Sequence, residues 1–325
     1  MVSDNLSKIR CDRLLERRQL LDQLGGLAHI AVTNQEWLYM LEEETRHSLS
    51  IEGYFASEQE LKVILSGRKS APEILNYYST ARSHYTIALQ YHLDRELWLD
   101  VSMIRGIHSG LYYDLSRLGG VFRDGPIQIQ GAKVRPPATS IEGYVRSFVS
   151  LSKQLLQQYP ILPAVARLHT LFESIHPFQD GNGRAGRILL NTVLVNQGFP
   201  PTIIKGIEKT ERDRYYQALE VADIGFHQGF PAAYIPLLAE SLEQGNFEPL
   251  ESLLYEGLRP RLDQWLAAAL EQQEPLVELK ILAHQLGVKE TTLRQWVVRG
   301  KLIAVKRGRK LHSHSRLVIS ANSME

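Results

Sequence analysis

The stretch from His176 to Arg187 restricts the fold more tightly than any other: His-Pro-Phe-Gln-Asp-Gly-Asn-Gly-Arg-Ala-Gly-Arg. Ala164, Val165, Leu168, Leu171, Phe172 and Ile175 precede it at spacings of three and four, the period of a helix face. Pro177 ends that helix, because proline lacks an N–H and pushes its predecessor out of helical geometry. Gly181, Asn182 and Gly183 then turn the backbone tightly and present N–H groups without bulky side chains. Ile188, Leu189, Leu190, Val193 and Leu194 resume a helical apolar face. The pattern predicts helix, loop, helix, with the glycines at the second helix's N-terminus.

That N-terminus carries Arg184 and Arg187, three residues apart and so on one face. Positive charge at the positive end of a helix dipole costs a few tenths of a kcal/mol, roughly, unless an anion binds there. Free N–H groups, the dipole and two guanidiniums together describe a phosphate site. Asp180 is a hard oxygen ligand suited to Mg²⁺, which takes one or two carboxylates plus phosphates. His176 is the one group in the stretch that exchanges a proton near neutral pH. The plainer reading is a polar turn with solvated arginines and a structural histidine. The co-occurrence of base, metal ligand, glycine turn and paired arginines argues against it.

At these residues the sequence resembles the Fic family, whose motif is His-Pro-Phe-x-(Asp/Glu)-Gly-Asn-(Gly/Lys)-Arg-x-x-Arg. Every defined position matches. The resemblance implies a mostly helical nucleotidyltransferase that moves AMP from ATP to a Ser, Thr or Tyr hydroxyl of a protein. It makes His176 the base, Asp180 the Mg²⁺ ligand, and Phe178 the anchor of the loop. It makes Gly181, Asn182, Gly183, Arg184, Ala185, Gly186 and Arg187 the nucleotide-binding stretch. Upstream, Ser48-Leu-Ser-Ile-Glu52-Gly53 matches that family's inhibitory pattern, Ser/Thr-x-x-x-Glu-Gly/Asn, placing Ser48, Glu52 and Gly53 in it. Without the resemblance, Glu52 reads as a surface carboxylate near a glycine-capped helix end. With it, a carboxylate reaching Arg187 occupies the fork that the γ-phosphate needs.

Gly119-Gly120 opens a different texture. Val121-Phe122-Arg123 and Ile127-Gln128-Ile129-Gln130 alternate apolar and polar, which predicts short strands in a hairpin turned by Gly131. In Fic proteins this region is a flap that covers the nucleotide and pairs with an extended target segment. The flap residues toward the nucleotide are then Ile129, Gln130, Gly131 and Ala132. The resemblance also places Tyr215 and Tyr216 at the adenine pocket, where ring stacking is reasonable. Asp223 stands where many relatives have an asparagine near the adenine or ribose. His108 and His169 read as satisfied core histidines.

Charge is unevenly spread. Residues 276–325 carry a net +7, against −6 for the rest. A helical connector at 248–275 leads to two short helices, Leu279 to Leu286 and Lys289 to Arg299, broken at Gly287. A basic segment, Leu302 to His312, reads as a hairpin wing. This resembles a winged helix-turn-helix, in which Thr291, Thr292, Arg294 and Gln295 face a DNA groove and Lys306, Arg307, Arg309 and Lys310 meet phosphates. Docking to a protein or to the Fic part is the alternative for this module.

The expected architecture is therefore all-α with a small β-hairpin flap and a C-terminal winged helix-turn-helix. Its expected parts are an N-terminal helical region over 1–92, a Fic domain over 93–247, the connector, and the module over 276–325. One cysteine, a charge-dotted start and no long apolar run lead to a cytoplasmic expectation without a membrane. Partners are ATP, a target protein along the flap and DNA through 276–325; self-modification and a homodimer stay open. Two rival functions stand beside AMP transfer. One is removal of AMP with Glu52 positioning a water; the other is a DNA-binding regulator whose nucleotide site is a sensor. Donors such as UTP also remain, since the motif reads phosphates and not the base.

Overall fold

The computed structural model describes residues 2–27 and 35–319. The chain divides into two compact units: residues 38–197 with 201–257, and residues up to 37 with 198–200 and everything from 258.

The first unit is helical. Its elements are α2 (Gln35–Ile51, from Leu38 on), α3 (Glu58–Leu65), α4 (Pro72–Leu93), α5 (Val101–Leu111), α6 (Ile141–Gln158), α7 (Ile161–Ile175), α8 (Asn182–Asn196), α9 (Lys209–Ala222) and α10 (Ile235–Leu242). α11 (Glu248–Glu271) contributes its residues up to Gly257. α8 is buried on every side, which is why its apolar residues recur without a polar face. It packs against α4, α5 and α7, and α7 packs in turn on α6. Local signals set several starts: Asp100 caps α5 by accepting from the Met103 N–H at 2.8 Å, and Ser57 with Glu60 forms a capping box on α3.

The expected flap hairpin is not formed. No strand is assigned between Val121 and Pro137. A ladder's role is taken by Arg123. Its side chain donates to the carbonyls of Gly125, Pro137, Ile175 and His176, and its own N–H donates to Pro177 O at 3.0 Å. A lone two-stranded ribbon is marginal in water, whereas one buried guanidinium satisfies four carbonyls at once. Gly131 makes the turn at the tip with φ 77°, and the Ala132 N–H donates to Ile129 O.

In the second unit lie α1 (Val2–Gln23), the end of α11, α12 (Leu279–Gln285), α13 (Glu290–Val298) and a small antiparallel sheet. The sheet order is β1 (Val277–Glu278), β3 (Lys310–Ser313), β2 (Val305–Arg307). Val305, Lys306 and Arg307 pair with His312, Leu311 and Lys310, so the expected wing hairpin is present. The third strand, β1, is too short for any sequence period to reveal. Trp37 and Trp265 meet at 5.5 Å, and the fully buried Arg17 pairs with Asp263 at 2.6 Å.

Candidate functional site

α7 ends at Ile175, and His176 takes the left-handed conformation as its cap, with φ 51°. The Pro177-to-Gly181 loop that follows is fixed at three points. Phe178 is fully buried and stacks on the His108 ring, with centroids 3.7 Å apart. Asn182 clamps the loop with its side chain, accepting from the Phe178 N–H and donating to Phe178 O, each at 2.8 Å. Both polar ends of Asn182 thus serve the loop. Gly181, with φ 74°, begins α8, whose first-turn N–H groups have no partners within the helix.

The His176 Nδ1 lies 3.1 Å from Glu173 O, and a carbonyl only accepts, so Nδ1 carries the proton. Nε2 is then an unprotonated base on a side chain that lines the cleft. Burial holds this imidazole below its ordinary pKa, opposed by the Glu173 hydrogen bond. It is neutral at pH 7.

The cleft has a volume of about 590 Å³. Its walls are the loop and helix end from Gln179 to Gly183 with Arg187, the segment Ile127 to Val134, and one face of α9. Of the residues expected at a nucleotide, Glu52, Ile129, Gln130, Gly131, Ala132, Asp180, Gly181, Asn182, Gly183, Arg187, Tyr215, Tyr216 and Asp223 all line it. Arg184, Ala185 and Gly186 do not. Ala185 is buried in the helix packing, and Gly186 lies so close to Glu173 and Phe172 that a Cβ would collide with both. Arg184 turns instead toward Tyr112, Asp180 and Tyr54.

Arg187 is held by α2 and the residue just beyond it, with Tyr215 also in hydrogen-bond contact. Its Nε donates to Ser48 Oγ at 2.6 Å, and Nη2 donates to Ser48 O at 3.0 Å and Glu52 Oε1 at 2.7 Å. The Arg187 side chain is 3% exposed and that of Glu52 31%. A Cβ on Gly183 would collide with the Glu52 carboxylate, so the carboxylate also sits at the N-terminus of α8. Glu52 occupies the place an anion would take on both counts.

Tyr215 is buried, its hydroxyl 2.7 Å from His169 Nε2, while Tyr216 donates to Ile51 O at 3.1 Å. His169 and His108 are core histidines, pushed down by burial to about 3 and about 4. Asp223 lies 2.6 Å from His227 Nε2, and burial raises its carboxyl to about 6.

The sequence did not single out Glu173 or Tyr112. Glu173 lines the cleft beside Arg187, and burial raises its carboxyl to about 8, opposed by Arg187. Its one signal was an acid inside an apolar helix face. Asp180 keeps its carboxylate 78% exposed, where a metal is accessible. No cluster of three or more metal-ligating side chains exists among the described residues. A lone exposed carboxylate fits a cation whose other ligands are phosphates and waters.

Residues 98–194 match the Fic/DOC family. The chain carries a Fic/DOC domain. Residues 266–312 match a second family, described as DNA-binding protein Rv2175c, wHTH domain. Over 292 residues the chain is 29% identical to a probable protein adenylyltransferase of Aquifex aeolicus, covering 85% of this chain and 86% of the relative. It is 28% identical to the protein adenylyltransferase Fic of Aedes aegypti, of which it spans 45%. Among solved structures, a Fic domain containing signaling protein from Bacteroides thetaiotaomicron superposes with a TM-score of 0.64 at 20% identity. That match covers 80% of this chain and 96% of the other. Fic-1 from C. elegans superposes with 0.58 at 18% identity, covering 82% and 75%. These likenesses establish the Fic fold. The cleft-lining residues His176, Gln179 to Gly183 and Arg187 fall within the matched stretch, which also includes α5, α6, α7 and most of α8.

In the C-terminal module, Thr291, Arg294 and Gln295 are exposed on α13 and Thr292 is half-buried. Arg294 pairs with Glu290 on its own helix, Arg307 with Glu271, and Lys310 with Glu278. Lys306 and Arg309 are exposed. No described helix is long and apolar enough to cross a membrane.

Proposed function

We propose that this protein transfers AMP from ATP to a hydroxyl of a protein and that Glu52 restrains the reaction. The observation that carries the proposal is the neutral His176, with Nδ1–H fixed by Glu173 O, in a cleft that also holds the glycine turn and Arg187. The names of the relatives from Aquifex and Aedes support the same reading.

In this reading the hydroxyl oxygen attacks the α-phosphorus while His176 Nε2 takes its proton. The bond from the α-phosphorus to the α,β-bridging oxygen breaks, and pyrophosphate leaves. The first-turn N–H groups of α8 and Arg187 hold the β- and γ-phosphates, so the chain's work is positioning and charge stabilisation. Asp180 would hold Mg²⁺, which when bound neutralises phosphate charge. The face of α9 bearing Tyr215 and Tyr216 takes the base. The segment Ile127 to Val134 lines the cleft and carries no strand ladder of its own, which leaves backbone groups for strand addition by a target.

With Glu52 on Arg187, the γ-phosphate loses its guanidinium fork, and the nucleotide is left in an unproductive pose. For the module at 266–312, DNA is the proposed partner, supported by the family it matches and by the exposed polar face of α13.

The test is transfer of label from ATP in the presence of Mg²⁺, with α-labelled and γ-labelled nucleotide in parallel. Label in protein from the α position alone supports AMP transfer. Label from the γ position would make the protein a kinase, and release of AMP from a labelled protein would make removal the physiological direction.

A further inference from the structure

α5 grips Asp180 from both ends. His108 and Tyr112 lie four residues apart, hence on one face where the helix ends. The His108 Nδ1 accepts from the Gly120 N–H at 2.9 Å, which leaves the ring proton on Nε2. That Nε2–H donates to the main-chain oxygen of Asp180, also at 2.9 Å. One turn on, the Tyr112 hydroxyl donates to Asp180 Oδ2 at 2.5 Å. Arg184 Nη2 reaches the Tyr112 oxygen at 3.0 Å and the same Oδ2 at 3.4 Å. The Tyr112 ring also lies over the turn, where a Cβ on Gly181 would come within 2.8 Å of it.

We infer that Tyr112 is a positioning residue for the metal–nucleotide complex, holding the Asp180 carboxylate in one orientation for a divalent cation. This rests on the proposed role of Asp180. An exposed aspartate on a loop otherwise samples several rotamers, and ordering it when the metal binds costs affinity. Here Oδ2 is already committed to Tyr112 and Arg184, and the backbone beneath is fixed by His108. Outer partners of this kind typically account for about 10–100-fold in metal affinity.

Tyr112→Phe keeps the ring over Gly181 and removes only the hydroxyl, which makes it a clean test. The full chain carrying Glu52→Gly serves as the parent, so that phosphates have access to Arg187. The probe is Mn²⁺, titrated by electron paramagnetic resonance against protein with α,β-methylene-ATP, which cannot be cleaved at the reacting bond. The parent, Tyr112→Phe and Asp180→Ala are compared, and binding of the nucleotide alone is measured in the presence of a chelator. The expected result is Mn²⁺ affinity about tenfold weaker in Tyr112→Phe, with metal-free nucleotide binding unchanged. Unchanged Mn²⁺ affinity in Tyr112→Phe, with loss in Asp180→Ala, would overturn the inference and leave the metal role of Asp180 standing. Equal weakening of metal-free nucleotide binding would overturn it too, since the hydroxyl would then be supporting the loop. Mn²⁺ binding that ignores Asp180→Ala would remove the reading on which the inference rests.

Discussion

The charges of the cleft and those of the C-terminal module are paired in opposite ways. In the cleft, Arg187 is withdrawn from water, and its Nε and Nη2 donate to Ser48 and Glu52. In the module, Arg294, Arg307 and Lys310 meet their carboxylates at the surface, with both partners at least a third exposed. A surface pair contributes about 0–1 kcal/mol and weakens with salt, so phosphates exchange for its carboxylate easily. Removing one partner of a buried pair leaves a desolvated charge and costs far more. In the proposed reading the cleft is a switch with few states, and the module an adjustable electrostatic surface.

The largest effect that would sharpen this contrast is at the base. In the Glu52→Gly background, His176→Ala lowers the rate of AMP transfer by about 10²–10⁴-fold. Because burial holds His176 below its ordinary pKa, the rate stays level above neutral pH and falls only as acid protonates Nε2. A rate that instead rose steeply between neutral and alkaline pH would assign the base elsewhere.

A smaller effect comes from Glu173, whose folded carboxyl is raised from 4.5 to about 8. Between those values the folded state binds a proton that the unfolded state has lost, so stability falls as pH rises through the window. The groups facing Glu173 are Arg187, Glu52, His169 and Tyr215. Glu173→Gln removes the titration, so the Tm advantage of the variant over the unaltered protein grows from about pH 5 to about pH 8. A Tm difference that is flat with pH would mean that Glu173 is ionised in the fold.

The smallest effects belong to the module. Lys306→Ala and Arg309→Ala each weaken binding of duplex DNA uniformly across sequences and reduce the salt slope by about one. Arg307→Ala changes it less, because Glu271 already neutralises that charge. Equal effects at all three positions would erase the distinction between paired and unpaired cations.

How much of this was legible in the sequence follows the range of the interactions. The turn from His176 to Arg187 and the helices on either side are local, written in glycine, proline and apolar spacing, and the structure has them in those places. The approach of Glu52 to Arg187 spans the distance from one helix to another and was legible only through the family pattern. The flap misled, because alternation specifies an extended chain and not a partner strand. Its actual support, Arg123, works through carbonyls of Ile175 and His176 that no local pattern connects to it. Tyr112 and Glu173 were silent for the same reason: a tyrosine at a helix end and a glutamate in an apolar face acquire meaning only beside Asp180 and Arg187.

The central claim is that Glu52 holds Arg187 away from the nucleotide, and the most direct test is the rate of label transfer from α-labelled ATP with Mg²⁺. The full chain, Glu52→Gly and Glu52→Gly/His176→Ala are compared. The account predicts a rise of about 5–150-fold on Glu52→Gly, the usual span of a coupling between two states, and loss of that rise in the double variant. Transfer by the unaltered chain that equals or exceeds that of Glu52→Gly would contradict it, and would make Glu52 a participant in the chemistry instead of its restraint.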